Sequence, residues 1–334
     1  MKILKYLAIF VFCSVVISFN TQCKKSEPNP NNISDTIALS KIIPLADPTT
    51  IIPTSDWILV QKDTFQMGYF SAFRDDPNKS FALNEIPAHT VVVNDFKICK
   101  YEVTMQQYLN FCDATGWPRP VEPFFKWGNT PDSLSRPIVN VSWYDAHAFA
   151  KWVGARLLTE AEWEYAARGG HLNKLDASKD SMYLSGGPYT YFTTSTKSAK
   201  ILLTNLAWFR DNAITTGPQK VGTKEPASVI KNDNATIYNT INGVKVYNIG
   251  TADNRLETYD MIGNVWEWCD DWYDANYYSI SPSDNPKGPE TGTFRIMRGE
   301  GWNTVNVYCK ISTRGFFAPG TKVDFVGIRL AKSI

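Results

Sequence analysis

Between Thr258 and Asp274 the chain reads TYDMIGNVWEWCDDWYD, and no charge pattern or apolar period accounts for its centre. From Gly263 to Cys269 it sets two tryptophans around a carboxylate, after a glycine and before a cysteine. A plain strand has no use for that combination. A tight, metal-bound turn with two indoles to bury does. The aromatic load agrees: 11 tryptophans and 13% aromatic residues are typical of chains that bury ring clusters between loops or line clefts with them. A net charge of +1 gives no field that would draw a nucleic acid or an acidic membrane surface.

Other blocks flank this one. FQMG spans Phe65 to Gly68, NEIPAHTV starts at Asn84, and KYEVTMQQYLNFC runs from Lys100 to Cys112. A long block, RPIVNVSWYDAHAFAKWVGARLLTEAEWEYAARGG, covers Arg136 to Gly170. RIMRGEGWNTVNVYC covers Arg295 to Cys309, and VGIRLAKS starts at Val326. The local signals predict strands over Asp56–Val60 and Thr64–Met67 around a Gln61–Asp63 turn. Three helices start at capping-box pairs, Thr104 with Gln107, Ser142 with Asp145 and Thr159 with Glu162. Gly154 and Gly169 stand where the second and third should stop. Beyond Gly170 the regular exception is Thr236–Asn248, where Asn242-Gly243 between alternating apolar residues signals a two-residue hairpin turn.

In their order these blocks resemble the formylglycine-generating enzyme family, also called sulfatase-modifying factor, over roughly residues 53–334. The resemblance implies an α+β fold of C-type-lectin-like topology, with few short helices and strands and long ordered loops. Against the family's order, residues 227–254 read as an inserted, solvent-exposed hairpin. Active members oxidise a substrate cysteine with molecular oxygen and one copper(I) ion held by two thiolates, the soft ligands that select this ion. Laid on the family motif, Arg298, Trp302, Tyr308 and Cys309 keep catalytic positions. Thr304 falls on the first copper cysteine, Gly301 on the serine and Glu300 on the second glycine. A hydroxyl is a poor copper(I) ligand, so copper and formylglycine synthesis are not expected here. An iron site is not expected either, because His89, His147 and His171 are scattered. Calcium is. By resemblance Asp260 and Glu267 supply carboxylates and Gly263 and Val265 supply carbonyls, a hard-oxygen set on one turn. A second calcium is implied near Asn205 and Leu206. The alternative for Glu267 is a structural salt bridge.

The N-terminus has two lysines and then an apolar run from Tyr6 to Phe19, which reads as a secretory signal over residues 1–22. Cys23 stands where a bacterial lipoprotein carries its lipid, although Gln22 and Asn20 depart from the usual lipobox. Residues 23–52 then form an anchor and a polar, proline-bearing tether. The expectation is an exported lipoprotein of the bacterial cell envelope. Cys99, Cys112, Cys269 and Cys309 lack CxxC spacing, which argues against structural zinc and leaves any pairing open.

With the copper site incomplete, the reading is a non-catalytic envelope module that binds an unknown protein or surface ligand. Its contact residues would be Asn303, Thr304, Asn306, Tyr308, Phe316, Phe317, Asp324 and Phe325, rings among small polar groups as in adaptable binding loops. Two alternatives stand beside it. One is a true formylglycine-generating oxidase with an altered site. The other is a receptor resembling those diversified by a retroelement, whose C-termini follow RGGSW, a cysteine, an arginine, a proline and a final GFR; this chain has RGEGW, Cys309, Arg314, Pro319 and Gly327–Arg329 in similar order.

Overall fold

A computed structural model describes residues 41–69, 83–126, 128, 130–172, 207–224, 256–305 and 308–334, and the backbone of 237–241 and 244–247. All three predicted helices start at their capping boxes. Helix α1 (Met105–Thr115) begins with Thr104 Oγ1 accepting from the Gln107 amide while Gln107 Oε1 accepts from the Thr104 amide. Helices α2 (Trp143–Trp152) and α3 (Glu160–Ala167) open with the same reciprocal bonds at Ser142/Asp145 and Thr159/Glu162. Gly154 at φ +63° and Gly169 at φ +96° follow their C-caps, so the chain turns away where an L side chain would strain.

The strands run β1 (Trp57–Val60), β2 (Asp63–Met67), β3 (His89–Val93), β4 (Phe96–Cys99) and β5 (Arg156–Leu157). They continue as β6 (Ile237–Ile241), β7 (Val244–Tyr247), β8 (Trp266–Trp272), β9 (Arg295–Arg298), β10 (Gly315–Phe317), β11 (Val326–Gly327) and β12 (Leu330–Ser333). One four-stranded sheet has the order β1-β4-β12-β5, and a second the order β10-β9-β8-β11. In the second sheet β11 runs parallel to β8, setting Val326 beside Trp266 and Gly327 beside Glu267. Although β1 and β2 adjoin in sequence, they do not pair with each other: β1 joins β4, and β2 joins β3. The β6–β7 pair forms the expected hairpin, with Ile241 opposite Val244, while the turn residues lie outside the described ones.

Two apolar clusters fill the interior. Helices α1 and α2 supply the first, where Phe111 meets Phe149 and Trp152 at ring distances of 5.7 and 5.5 Å. Helix α3 lays Trp163 into the second, with Phe96, Ile98 and Met261. Buried indoles keep their N–H groups satisfied: Trp268 donates to the Val141 carbonyl at 3.0 Å and Trp143 to the Cys269 carbonyl at 2.9 Å. The packed body also reaches further toward the N-terminus than a tether ending at residue 52 implies. Ile42 and Ile52 are buried, and the Leu45 amide donates to the Trp152 carbonyl. The four cysteines from Cys99 onward are free and buried.

Candidate functional site

The GNVWEW turn is built from left-handed backbone: Asp260, Gly263 and Asn264 have φ of +56°, +81° and +60°. A Cβ at position 263 would lie 2.3 Å from the Trp208 carbonyl oxygen, so only glycine fits there. Asn264 ties the turn down, with its amide donating to the Trp208 carbonyl and its Nδ2 to Glu102 Oε2 at 2.6 Å. Strand β8 then carries Glu267 into the interior. Arg329 grips it, Nε lying 2.9 and 3.1 Å from the two carboxylate oxygens, and Trp163 Nε1 adds a third bond at 2.6 Å. The same guanidinium donates to the carbonyls of Cys99, Lys100 and Tyr259. Thus Glu267 is the centre of a buried ion pair that links β8 to the segment around Arg329 and the end of β4.

Asp260 is different. It is buried, its Oδ2 accepts from the Gly222 amide at 2.6 Å, and its Oδ1 has no partner. Burial, in company with Glu267, raises its carboxyl to about 6. Burial and the Asp260 charge also push Glu102 well above the ordinary carboxylate range. Glu102, Asp260 and Glu267 therefore crowd three buried carboxyls around one buried guanidinium. An orphaned oxygen in a region short of positive charge suits a hard cation at Asp260, with any share of Glu267 divided with Arg329. Among the described residues no group of three or more His, Cys, Asp or Glu side chains converges as a ready metal cage.

The RGEGW loop leaves β9 beside this turn. Arg298 is wholly buried and serves as a clamp: Nη2 meets Glu164 Oε2 at 2.5 Å, Nη1 meets Glu160 Oε1 at 3.2 Å, and both nitrogens also donate to the carbonyls of Ile311 and Ser312. Arg314 completes it with Nε 2.7 Å from Glu160 Oε1. Glu300 follows in the left-handed region at φ +59°, which explains why the family places glycine there. Its side chain is buried with both oxygens unpartnered, and burial raises its carboxyl well above the usual range.

At the copper positions, Thr304 Oγ1 accepts from the Gly301 amide at 3.1 Å, closing the loop on itself. Cys309 is buried, and burial pushes its thiol well up, away from the thiolate. Trp302 is buried and donates to the Asp324 carbonyl at 3.0 Å, whereas Tyr308 is exposed.

The proposed contact residues do not form one patch. Along β10 successive side chains leave opposite faces, so Phe316 stacks on Tyr273 at 3.9 Å while Phe317 turns toward Phe325 at 6.1 Å. Asn303, Thr304, Asp324 and Phe325 are half-buried near Trp302, and Asn306 lies outside the described residues, as do Cys23, Asn205 and Leu206. A patch that the sequence reading missed adjoins them: Phe124, 66% exposed, packs 5.7 Å from Trp302 and 5.4 Å from Phe125. Its signal was the Phe124-Phe125 pair between prolines and charges, where a core has little use for two rings.

Short helices, two small sheets and a clamped C-terminal loop over a GNVWEW turn define an α+β fold of the formylglycine-generating-enzyme type. The chain belongs to the sulfatase-modifying factor family: residues 44–334 match its enzyme 1-like domain. It is 29% identical over 289 residues to the formylglycine-generating enzyme of Streptomyces coelicolor, covering 74% of this chain and 81% of that one. Among solved structures, PvdO from Pseudomonas aeruginosa superposes with a TM-score of 0.59 at 22% identity, covering 83% of this chain and 94% of its own. Treponema denticola variable protein 1 does so at 0.55, again at 22% identity and the same coverage. At that identity both likenesses speak to fold alone.

Proposed function

We propose that this protein is a non-catalytic member of its family, exported and held at the cell envelope by a lipid on Cys23, that binds a protein or surface ligand through its C-terminal face. One observation carries the reading: the two copper positions hold Thr304, whose hydroxyl is engaged by the Gly301 amide, and a single buried thiol, Cys309. One thiolate and a hydroxyl do not make the two-sulfur site that copper(I) selects. Exposed rings around the same loop, Tyr308 at 38% and Phe124 at 66%, support a binding face there. Calcium at Asp260 belongs to the same proposal as a structural ion, supported by the orphaned Oδ1.

The test is incubation of purified protein with copper(I), oxygen and a CxPxR peptide. The expected result is no tight copper binding and no formylglycine; conversion that requires Cys309 would overturn the reading. Combining Thr304→Cys with Gly301→Ser asks whether only the ligands are missing. A Cβ at position 301 would sit 3.2 Å from the Trp266 ring and 3.3 Å from the Phe325 carbonyl, so the serine needs a small local shift. Palmitate labelling lost in Cys23→Ala tests the anchor, since a multi-chain lipid buries enough methylene groups to hold a protein on a bilayer. Wild-type protein that stays unlabelled and soluble would end that part of the proposal.

A further inference from the structure

Like charges stand side by side on the first sheet. The register sets Leu59 of β1 opposite Lys97 of β4, and Lys97 opposite Lys332 of β12, so the three side chains leave one face in a row. Two ammonium groups directly opposite each other destabilise a sheet, and lysines in sheets characteristically guard edge strands against further pairing. That defence has no purpose here, because β4 and β12 are the two interior strands of the order β1-β4-β12-β5. Among the described residues neither lysine has an ion-pair partner. The carboxylates nearest in sequence are engaged elsewhere: Asp95 Oδ1 accepts from the Lys62 amide at 2.6 Å, and Asp56 Oδ1 from the Ser55 hydroxyl at 3.4 Å. Lys332 is held in place, its ammonium 4.3 Å from the centre of the half-buried Trp57 ring. Aliphatic side chains flank the pair on the same rim. Leu59 is 44% exposed, and Ile334, two places after Lys332, is 70% exposed.

We propose that this end of the first sheet docks on an anionic bilayer surface. Lys97 and Lys332 share lipid phosphates, whose negative charge removes the repulsion between them. Leu59 and Ile334 enter the headgroup layer, and Trp57 lies at its level. The lysine stems run along apolar surface and present only their charged heads to the phosphates. A pair of charges suffices because the attraction is local: the net charge of +1 sets no long-range field, yet lysines at the membrane surface act within a Debye length. A soluble oxyanion would not use the two exposed aliphatic chains, so a lipid surface fits the whole row. The chain also reaches the body on this side, where Ile42, Ile51 and Trp57 pack on the first apolar cluster. An acyl group on Cys23 would thus keep the row within tether reach of a bilayer. That last point rests on the anchor proposed above, whereas the docking itself does not.

Vesicle cosedimentation tests the docking with residues 24–334, which keep the whole described body and carry no acyl group, so the outcome is independent of Cys23. The expected result is sedimentation with vesicles of phosphatidylcholine and phosphatidylglycerol, little with phosphatidylcholine alone, and release by added sodium chloride. Lys97→Gln and Lys332→Gln should each lower the partition coefficient about fivefold, and the double variant about twentyfold. Lys97→Gln should not lower Tm, since it relieves a like-charge contact. Leu59→Ser should weaken binding while leaving its salt dependence as in wild type, and Lys287→Gln, an exposed lysine between β8 and β9, should change nothing. Wild-type protein that stays in the supernatant with anionic vesicles overturns the docking. Undiminished binding by the double variant overturns its assignment to this face, and release by inorganic phosphate at constant ionic strength overturns the lipid surface in favour of a free oxyanion.

Discussion

Glu267 on β8 and Glu300 in the loop after β9 are both wholly buried carboxyls, and the protein treats them in opposite ways. Glu267 has a bidentate guanidinium and an indole N–H, so its charge is matched bond for bond. Glu300 has no donor on either oxygen and sits on strained backbone. The first region spends polar groups on fixing architecture, tying β8, β11 and the entry to α1 together. The second leaves its carboxyl oxygens unmatched on left-handed backbone, a local cost that the joint does not carry.

The largest test of this contrast is Arg329→Met. It strands Glu267 and the carbonyls of Cys99, Lys100 and Tyr259. Breaking a buried pair from one side costs about 3–5 kcal/mol, so urea unfolding should show a collapse of the midpoint. A loss below about 1 kcal/mol would mean the joint is dispensable.

Calcium comes next. An ion at Asp260 stabilises by mass action, about 2.7 kcal/mol at a hundredfold excess over Kd, so chelation should lower Tm and calcium should restore it. Because the Asp260 carboxyl sits at about 6, protons compete below that pH, and the calcium gain should shrink between pH 7.5 and pH 5. A melting curve indifferent to chelator at both pH values would leave Asp260 as a structural residue that holds no ion.

A smaller effect belongs to Glu300. Its folded carboxyl is raised by burial, so above the ordinary glutamate value the folded state binds more protons than the unfolded one. Stability contributed by the protonated form is present at low pH and lost as pH rises toward the folded value, at most about 1.4 kcal/mol per pH unit for one group. Glu300→Gln should flatten that slope in denaturation series across mildly acidic pH; an unchanged slope would assign it to other raised carboxyls such as Glu102 or Asp271. Smallest is Phe124→Ser, which should shift stability in urea unfolding by no more than about 0.5 kcal/mol, as exposed positions do.

Much of the frame was legible in sequence because its signals are local. Thr104, Ser142 and Thr159 announce their helices through one side chain and one residue three places on, and each cap forms as read. The partners were not legible where they come from far along the chain. Nothing near Glu267 names Arg329, 62 residues away, and nothing near Lys310 names Glu85. The same holds for β1 and β2, whose short turn suggests a hairpin while their mates lie in β4 and β3. In Phe316 and Phe317, adjacency in sequence hides a separation across the sheet.

The position of β12 has a consequence for how the molecule is made. Residues 330–333 are not an edge but an interior strand, lying between β4 and β5. Until that segment has been delivered, β4 lacks one neighbour, β5 lacks its mate, and Arg329 is missing from the joint. Synthesis from the N-terminus therefore cannot finish the first sheet early, and the nascent chain carries its apolar faces open to the end. A deletion of only those four residues should therefore behave as a failure to fold rather than as a trimmed tail.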